Sequence, residues 1–393
     1  MALLAAARRL TPELRTSIFY STAFLGSGAS VMALPLWLNE KGLDASEIGI
    51  INAVPIALIL MMNLFMGRVA DKASDWRQVI VICALAGGII PIGLFFVHEF
   101  WGILLVWSLL LLPPGALGPV LDAATVRMTR RKGTDYGTIR AWGTVGYMVM
   151  NALTGVLVVW YGSAIFVPLF VGLTLLRAGA SLILPRFRAP EHQPTLAELA
   201  PKKAGLGEAM QVWFVLPLIG FSMVFGTHWI LNAFAALLWK QQGISEGIIG
   251  PLIALGAFSE AAMMFAWRRF GGRFSARHLI FISAMVAAFR WTCMAFSPPV
   301  YLLVPLQLLH GVTFALGFMG CVHFIANWTS EDIAAETQSL FAVLQQVMSV
   351  VSLIAFGWMI SFLGPHAYLV AAFFSLCGGA LIVISLRMRP VKT

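Results

Sequence analysis

Long apolar runs separated by short polar turns dominate this chain. Runs able to cross about 30 Å of hydrocarbon at about 1.5 Å per residue fall at roughly 16–38, 47–67, 78–98, 100–126, 139–161, 164–184, 211–238, 248–267, 278–297, 300–326, 338–361 and 366–387, twelve in all. A bilayer core offers no water to the backbone, so each run is expected to be a helix. Pro113, Pro114 and Pro119 in the fourth run and Pro305 in the tenth predict kinks or local unwinding. A polar stretch over 185–210, with Pro185, Pro190, Pro194 and Pro201, divides the runs six and six. The expected organisation is a six-helix bundle over 1–184, a linker over 185–210 and a second bundle over 211–393. An offset of 201 lays Gly42 and Gly49 on Gly243 and Gly250, which implies a parallel repeat about an axis along the membrane normal. The fold class read from this pattern is an all-α membrane protein of twelve transmembrane helices in two pseudo-symmetric bundles.

Composition agrees with that pattern: 60% of the 393 residues are hydrophobic, 11% are charged, and mean hydropathy is +0.87. A net charge of +9 invites a nucleic-acid reading, but the placement of charge opposes it. Lys41 and Lys240 lie on one side of the predicted membrane, Arg177 and Arg290 lie within runs, and the other 22 of 26 basic residues share the opposite side. That bias puts both termini and the linker in the cytoplasm, with the bilayer and not nucleic acid as the partner. The apolar patch of the first ten residues precedes Arg8 and Arg9, the reverse of a signal peptide, so none is expected. Cys83, Cys293, Cys321 and Cys377 are isolated inside apolar runs and suggest neither disulfides nor a metal site. No cofactor or metal is expected, no nucleophile–base constellation of an enzyme is present, and a monomer is anticipated.

Glu260, Arg290 and His310 are the exception to this apolar pattern, each near the middle of a different, consecutive run. A charged side chain at the bilayer centre costs about 2.5–3.5 kcal/mol on insertion scales, so such residues usually face a partner or a water-filled path. Their positions place all three within about 5 Å of the midplane at the helical rise, the depth at which transporters hold substrates and ions. A carboxylate there can take up a proton when water is excluded and release it when an arginine approaches. The competing reading is a permanent Glu260–Arg290 ion pair. Gln307, His310 and Phe314 share one helical face by spacing, as do His228 and Asn232. Asn52 and Gln345-Gln346 read as glue between helices.

After the second run stands Gly67-Arg68-Val69-Ala70-Asp71-Lys72, with Arg77 opening the third. Gly67 permits close helix approach, and Asp71 can meet a helix N-terminus or a neighbouring arginine. With twelve runs and a repeat, the string resembles the loop 2–3 motif of the major facilitator superfamily, although the second-half copy, Arg268-Arg269-Phe270-Gly271-Gly272-Arg273, lacks the acid. The resemblance implies the major facilitator fold and a gating role for Gly67, Arg68, Asp71, Lys72 and Arg77. Pro119-Val120-Leu121-Asp122-Ala123, and Asp135 through Gly146 with Arg140 and Trp142, resemble a branch containing phenylpropionate permeases and, more distantly, lactose permease and nucleoside–proton symporters. In lactose permease an acid, an arginine and a histidine on helices 8, 9 and 10 serve proton coupling; the same types recur at Glu260, Arg290 and His310. The acid one turn beyond that histidine is missing, its place taken by Thr313 or Phe314.

The superfamily lines its cavity with spans 1, 4, 7 and 10, which makes Gln307, Phe314, His228 and Asn232 candidate substrate contacts. Trp291 joins them as a partner for an aromatic ring, with Arg290 or His310 meeting a carboxylate. Asp122, near the inner end of the fourth span, is expected to pair with Arg68, Arg77 or Arg140 in a cytoplasmic latch. Arg177, on a span expected to be peripheral, is read as snorkelling inward, and His323 falls opposite Asp122 under the repeat offset. The expected function is a proton-coupled symporter of a bacterial inner membrane, importing a small organic solute by alternating access, with an aromatic carboxylic acid favoured. A sugar or nucleoside symporter and an efflux antiporter are the alternatives; the Gly-Pro signature of drug antiporters is missing between Gly143 and Gly155.

Overall fold

Among the described residues of the computed structural model, every regular element is a helix. The structure describes residues 10–72, 75–187, 211–270, 273–329 and 331–388; of these, the side chains of 63–72, 116, 117, 119, 268–270 and 331–336 are not described. The helices are α1 Pro12–Glu40, α2 Ala45–Lys72, α3 Trp76–Ile89, α4 Phe100–Lys132, α5 Tyr136–Tyr161 and α6 Phe166–Ser181. They continue with α7 Val212–Gln241, α8 Glu246–Phe270, α9 Ala276–Ala295, α10 Val300–Trp328, α11 Glu331–Leu363 and α12 Tyr368–Met388. Eleven stretches are long and apolar enough to cross a membrane, and one of them, Thr337–Met388, holds both α11 and α12. Among the described residues the passes therefore number twelve.

The sequence repeat has a counterpart in the backbone. Gly42 and Gly243 both adopt positive φ, 85° and 89°, a conformation glycine reaches without a Cβ penalty. Around them the closing bonds coincide at the 201-residue offset. Leu43 N–H donates to Leu38 C=O at 3.2 Å, and Ile244 N–H to Trp239 C=O at 3.0 Å. Lys41 and Gln242 reach back four residues in the same way. These are Schellman-type ends, which satisfy carbonyls that a helix terminus would otherwise leave open. Asp44 and Glu47 then cap α2 reciprocally, side chain to backbone, at 2.8 and 3.0 Å.

Prolines act differently in different helices. α4 continues as one helix through Pro113, Pro114 and Pro119, against the unwinding expected there; neighbouring groups in a bundle can re-satisfy the carbonyls that proline frees. α10 does break its regularity, as an α-helix Val300–Leu308, a π-helical turn Gly311–Leu316 and an α-helix Gly317–Trp328. α3 ends at Ile89 and continues as a tighter 3-10 turn, Ile90–Phe95, around Pro91.

By spatial contact the chain forms two units, Met1–Gln193 with Ser245–Ala254, and Pro194–Ile244 with Leu255–Thr393. In the first, Phe19 and Tyr20 of α1, Trp76 and Ile80 of α3, Leu121 of α4 and Ile139 of α5 form a buried core. α1 and α5 touch backbone to backbone: a Cβ at Gly146 would stand 2.6 Å from Ser21 C=O, the small-residue packing that lets membrane helices approach. The chain just after α6 is held by three arginines. Arg15 donates to Ile183 C=O, Arg77 to Leu182 and Leu184 C=O at 2.7 and 2.8 Å, and Arg131 to Phe187 C=O. In the second unit α7 packs against α11 and α12, and α9 against α12. Large aromatics remain exposed near helix ends, among them Phe96, Trp101, Trp160, Tyr161 and Tyr301. They lie at the turns poor in lysine and arginine, where an interfacial aromatic belt is expected.

Candidate functional site

The second unit brings Glu260 of α8, Arg290 of α9 and His310 of α10 together. His310 stands between the other two: its Nε2 lies 3.7 Å from Glu260 Oε2, and its Nδ1 lies 3.2 Å from Arg290 Nη1. The guanidinium also donates from Nη1 to Thr313 Oγ1 at 3.2 Å and from Nη2 to Gln307 Oε1 at 3.0 Å. Arg290 is fully buried, with its charge 4.8 Å from the centre of the Trp291 ring. The direct Glu260–Arg290 pair considered from sequence is thus replaced by a relay through imidazole.

An arginine has only donors, so the partners fix the proton positions. His310 Nδ1 accepts from Arg290, which leaves its proton on Nε2, facing the Glu260 carboxylate. His228 of α7 is set the opposite way. Its Nδ1 donates to Val224 C=O at 2.9 Å, and its Nε2 accepts the Thr313 hydroxyl proton at 2.8 Å. Thr313 therefore receives a hydrogen bond from Arg290 and passes one to His228. The result is a directed network across four helices, in which Arg290 Nε and Gln307 Nε2 are the donors that have no partner among the described residues.

The irregular middle of α10 makes this possible. Pro305 has no N–H, and the π-helical turn after His310 changes which side chains share a face. Neighbouring hydroxyls satisfy the disturbed backbone: Ser259 of α8 accepts from Gly311 N–H at 3.0 Å, and Ser283 of α9 donates to Thr313 C=O at 2.8 Å. Thr313 is the residue sequence reasoning missed. It was noted only where an acid was absent; its own hydroxyl joins Arg290 to His228.

The remaining candidates separate by exposure. Phe314 is partly exposed, stacked on His310 at 5.3 Å and near His228 at 5.5 Å. Gln307 is 2% exposed, with its carbonyl oxygen committed to Arg290. Trp291 is 0% exposed, hydrogen-bonded to Thr227 at 3.0 Å and stacked on Tyr368, so the ring contact expected of it has no open face in this structure. Asn232 is partly exposed one turn beyond His228. His323 accepts from Trp267 Nε1 at 2.8 Å.

In the first unit, Asp122 receives the Tyr20 hydroxyl at 2.5 Å and lies 4.0 Å from Arg140 Nε. Arg140 is stacked over Phe24, 4.3 Å from the ring centre. Arg77, one of three arginines considered for Asp122, instead serves the carbonyls after α6. Asp135 caps α5 by accepting from Thr138 N–H, which holds its carboxyl below the usual range. The snorkelling expected of Arg177 is not found: it is 8% exposed and donates to Gly87 C=O at 2.9 Å. That carbonyl is the one Pro91 cannot serve from the next turn, which explains why a charged group turns inward. The side chains of Gly67, Arg68, Asp71 and Lys72 lie outside the described residues, although the backbone of α2 extends as helix to Lys72.

Among the described residues, twelve apolar passes and buried, hydrogen-bonded ionisable groups point to a membrane transporter. Residues 14–363 match the model of the MFS_1-like family, and the chain belongs to that family of multi-pass membrane transporters. It is 26% identical over 370 residues to the "Probable 3-phenylpropionic acid transporter" of Escherichia coli (strain K12), covering 91% of this chain and 93% of that one. It is 23% identical over 381 residues to the maltose permease of Geobacillus stearothermophilus, covering 95% and 94%. A crystal structure of the nucleoside transporter NupG superposes with a TM-score of 0.78 at 19% identity, over 98% of this chain and 100% of that one. The architecture is therefore that of the major facilitator superfamily.

Proposed function

We propose that the protein is a proton-coupled symporter that imports a small organic acid, an aromatic carboxylate of the phenylpropionate type being favoured. The observation that carries the reading is the Glu260–His310–Arg290 relay. In the state described, the Nε2–H of neutral His310 faces a carboxylate that balances the arginine. A proton arriving at Glu260 converts that carboxylate to a neutral acid and leaves the Arg290 charge uncompensated within the apolar surroundings. A monoanionic solute bound at the same stage restores the balance, so proton and solute cross together more readily than either alone. Phe314, stacked on His310, is suited to sense an aromatic ring beside this pair. His310 and Thr313 transmit the change without carrying a charge themselves.

The two halves, 1–184 and 211–393, exchange access through the linker 185–210, in a bacterial inner membrane with both termini cytoplasmic. Gly67, Arg68, Asp71, Lys72 and Arg77 serve as the gating segment, and the carrier works as a monomer. The charge bias of the turns supports the orientation. The similarity to the E. coli protein named for 3-phenylpropionic acid supports the solute class. A sugar or nucleoside is the second reading, favoured by the similarity to a maltose permease.

The test is uptake of labelled 3-phenylpropionate, maltose and uridine into proteoliposomes under an imposed pH gradient. 3-Phenylpropionate should accumulate, and the gradient should drive it when the membrane potential is clamped to zero. Glu260→Gln should reduce accumulation to equilibration while preserving solute exchange. Accumulation by Glu260→Gln equal to wild type would remove the proton-coupling role.

A further inference from the structure

We propose a second anion-binding site inside the first unit, in which Arg177 takes the carboxylate of a small organic acid. It lies in a cavity of about 250 Å³ whose walls include Phe24, Phe170, Asp122, Arg140 and Arg177. That volume holds about eight waters at about 30 Å³ each, or one aromatic ring with a short acidic tail. The inference rests on the organic-anion reading given above.

Charge is the first argument. Two guanidinium groups and one carboxylate line this cavity, so its walls carry an excess of one positive charge. Asp122 is already engaged by the Tyr20 hydroxyl and by Arg140. Among the described residues no acid pairs with Arg177. A desolvated arginine without a counter-ion is costly, and a carboxylate ligand both compensates it and matches its fork of donors.

Donor capacity is the second argument. Arg177 is more than nine-tenths buried and spends Nη2 on Gly87 C=O, while Nη1 has no protein partner among the described residues. The carbonyl bond fixes the guanidinium against α3 and leaves a donor for a ligand in the cavity it lines. Gly87 is required for this pose, because a Cβ there would stand 2.6 Å from Nη2. Arg290, by contrast, has both Nη atoms committed to His310, Thr313 and Gln307 and no exposed surface. Arg177 therefore offers a carboxylate an Nη donor that Arg290 does not, and the site is additional to the Arg290 network.

The experiment is isothermal titration of full-length protein in detergent with 3-phenylpropionate and with its neutral amide. Two variants are compared with wild type. Arg177→Met removes the charge, and Gly118→Phe fills the cavity from a position where an added Cβ meets nothing within 4 Å. Wild type should bind the acid and not the amide, and both variants should weaken the acid roughly tenfold or more, the loss of about one charge-assisted hydrogen bond. Gly118→Phe keeps the arginine in place, so it decides the matter if Arg177→Met fails to fold. Wild-type affinity in Gly118→Phe, or in a folded Arg177→Met, overturns the site and leaves the symport reading standing. Wild type that binds maltose or uridine and no acid overturns the site together with the solute class, while proton-driven uptake of the neutral solute still upholds the coupling.

Discussion

Two arginines sit deep in membrane helices of this protein, and their surroundings differ in kind. Arg290 has side-chain acceptors from α10 on both Nη atoms, a histidine whose far nitrogen faces a carboxylate, and an aromatic ring against its charge. Arg177 has one backbone carbonyl, offered because a proline cannot use it, and an open cavity beside it. An arginine whose two Nη atoms are both engaged by neutral or titratable partners responds to protons, because a proton added to those partners changes its balance. One with an Nη atom left toward a cavity responds to anions. Burial alone does not distinguish the two; the partner inventory does.

The largest effect should come from emptying the Arg290 site. Arg290→Met leaves His310, Thr313 and Gln307 without their common donor, in a setting where breaking a buried charged network costs about 3–5 kcal/mol. Proton-driven accumulation in proteoliposomes should vanish, and the melting temperature in detergent should fall by more than for Arg177→Met, which surrenders one carbonyl bond. Equal destabilisation by the two substitutions would erase the contrast drawn between the sites.

A smaller effect is expected at Thr313, whose hydroxyl is the only link in the network that both accepts from Arg290 and donates to His228. Thr313→Val keeps the shape and leaves an arginine donor and a histidine acceptor unpaired, at about 1–3 kcal/mol for such buried groups. Thr313→Ser should restore both stability and coupling. If the valine variant accumulates solute like wild type, His228 stands outside the proton relay.

How these sites could be read from sequence differs for the same physical reasons. Twelve passes, the repeat at 201 and the trio on α8, α9 and α10 follow from length, apolarity and the cost of charge, all of which are local to a run. Thr313 does not, because a threonine in a membrane helix is inexpensive and its importance arises only when the π-helical turn faces it toward Arg290. Arg177 was placed on a peripheral span and read as snorkelling; what turns it inward is Pro91 on another helix, a long-range demand that no window of its own sequence contains. Trp291 was considered as a partner for an aromatic ring, and its burial against Thr227 and Tyr368 is again set by other helices.

That last residue gives the smallest effect and a specific check. Trp291 is wholly buried, donating to Thr227 and stacked on Tyr368 5.8 Å away. Trp291→Phe removes one interhelical hydrogen bond and preserves an aromatic face, and interhelical bonds of this type average about 0.6 kcal/mol in membrane proteins. A slightly lower melting temperature with unchanged affinity for 3-phenylpropionate is expected, since this ring has no exposed surface to offer a solute. An affinity loss as large as that of Gly118→Phe would return Trp291 to the residues that meet the solute.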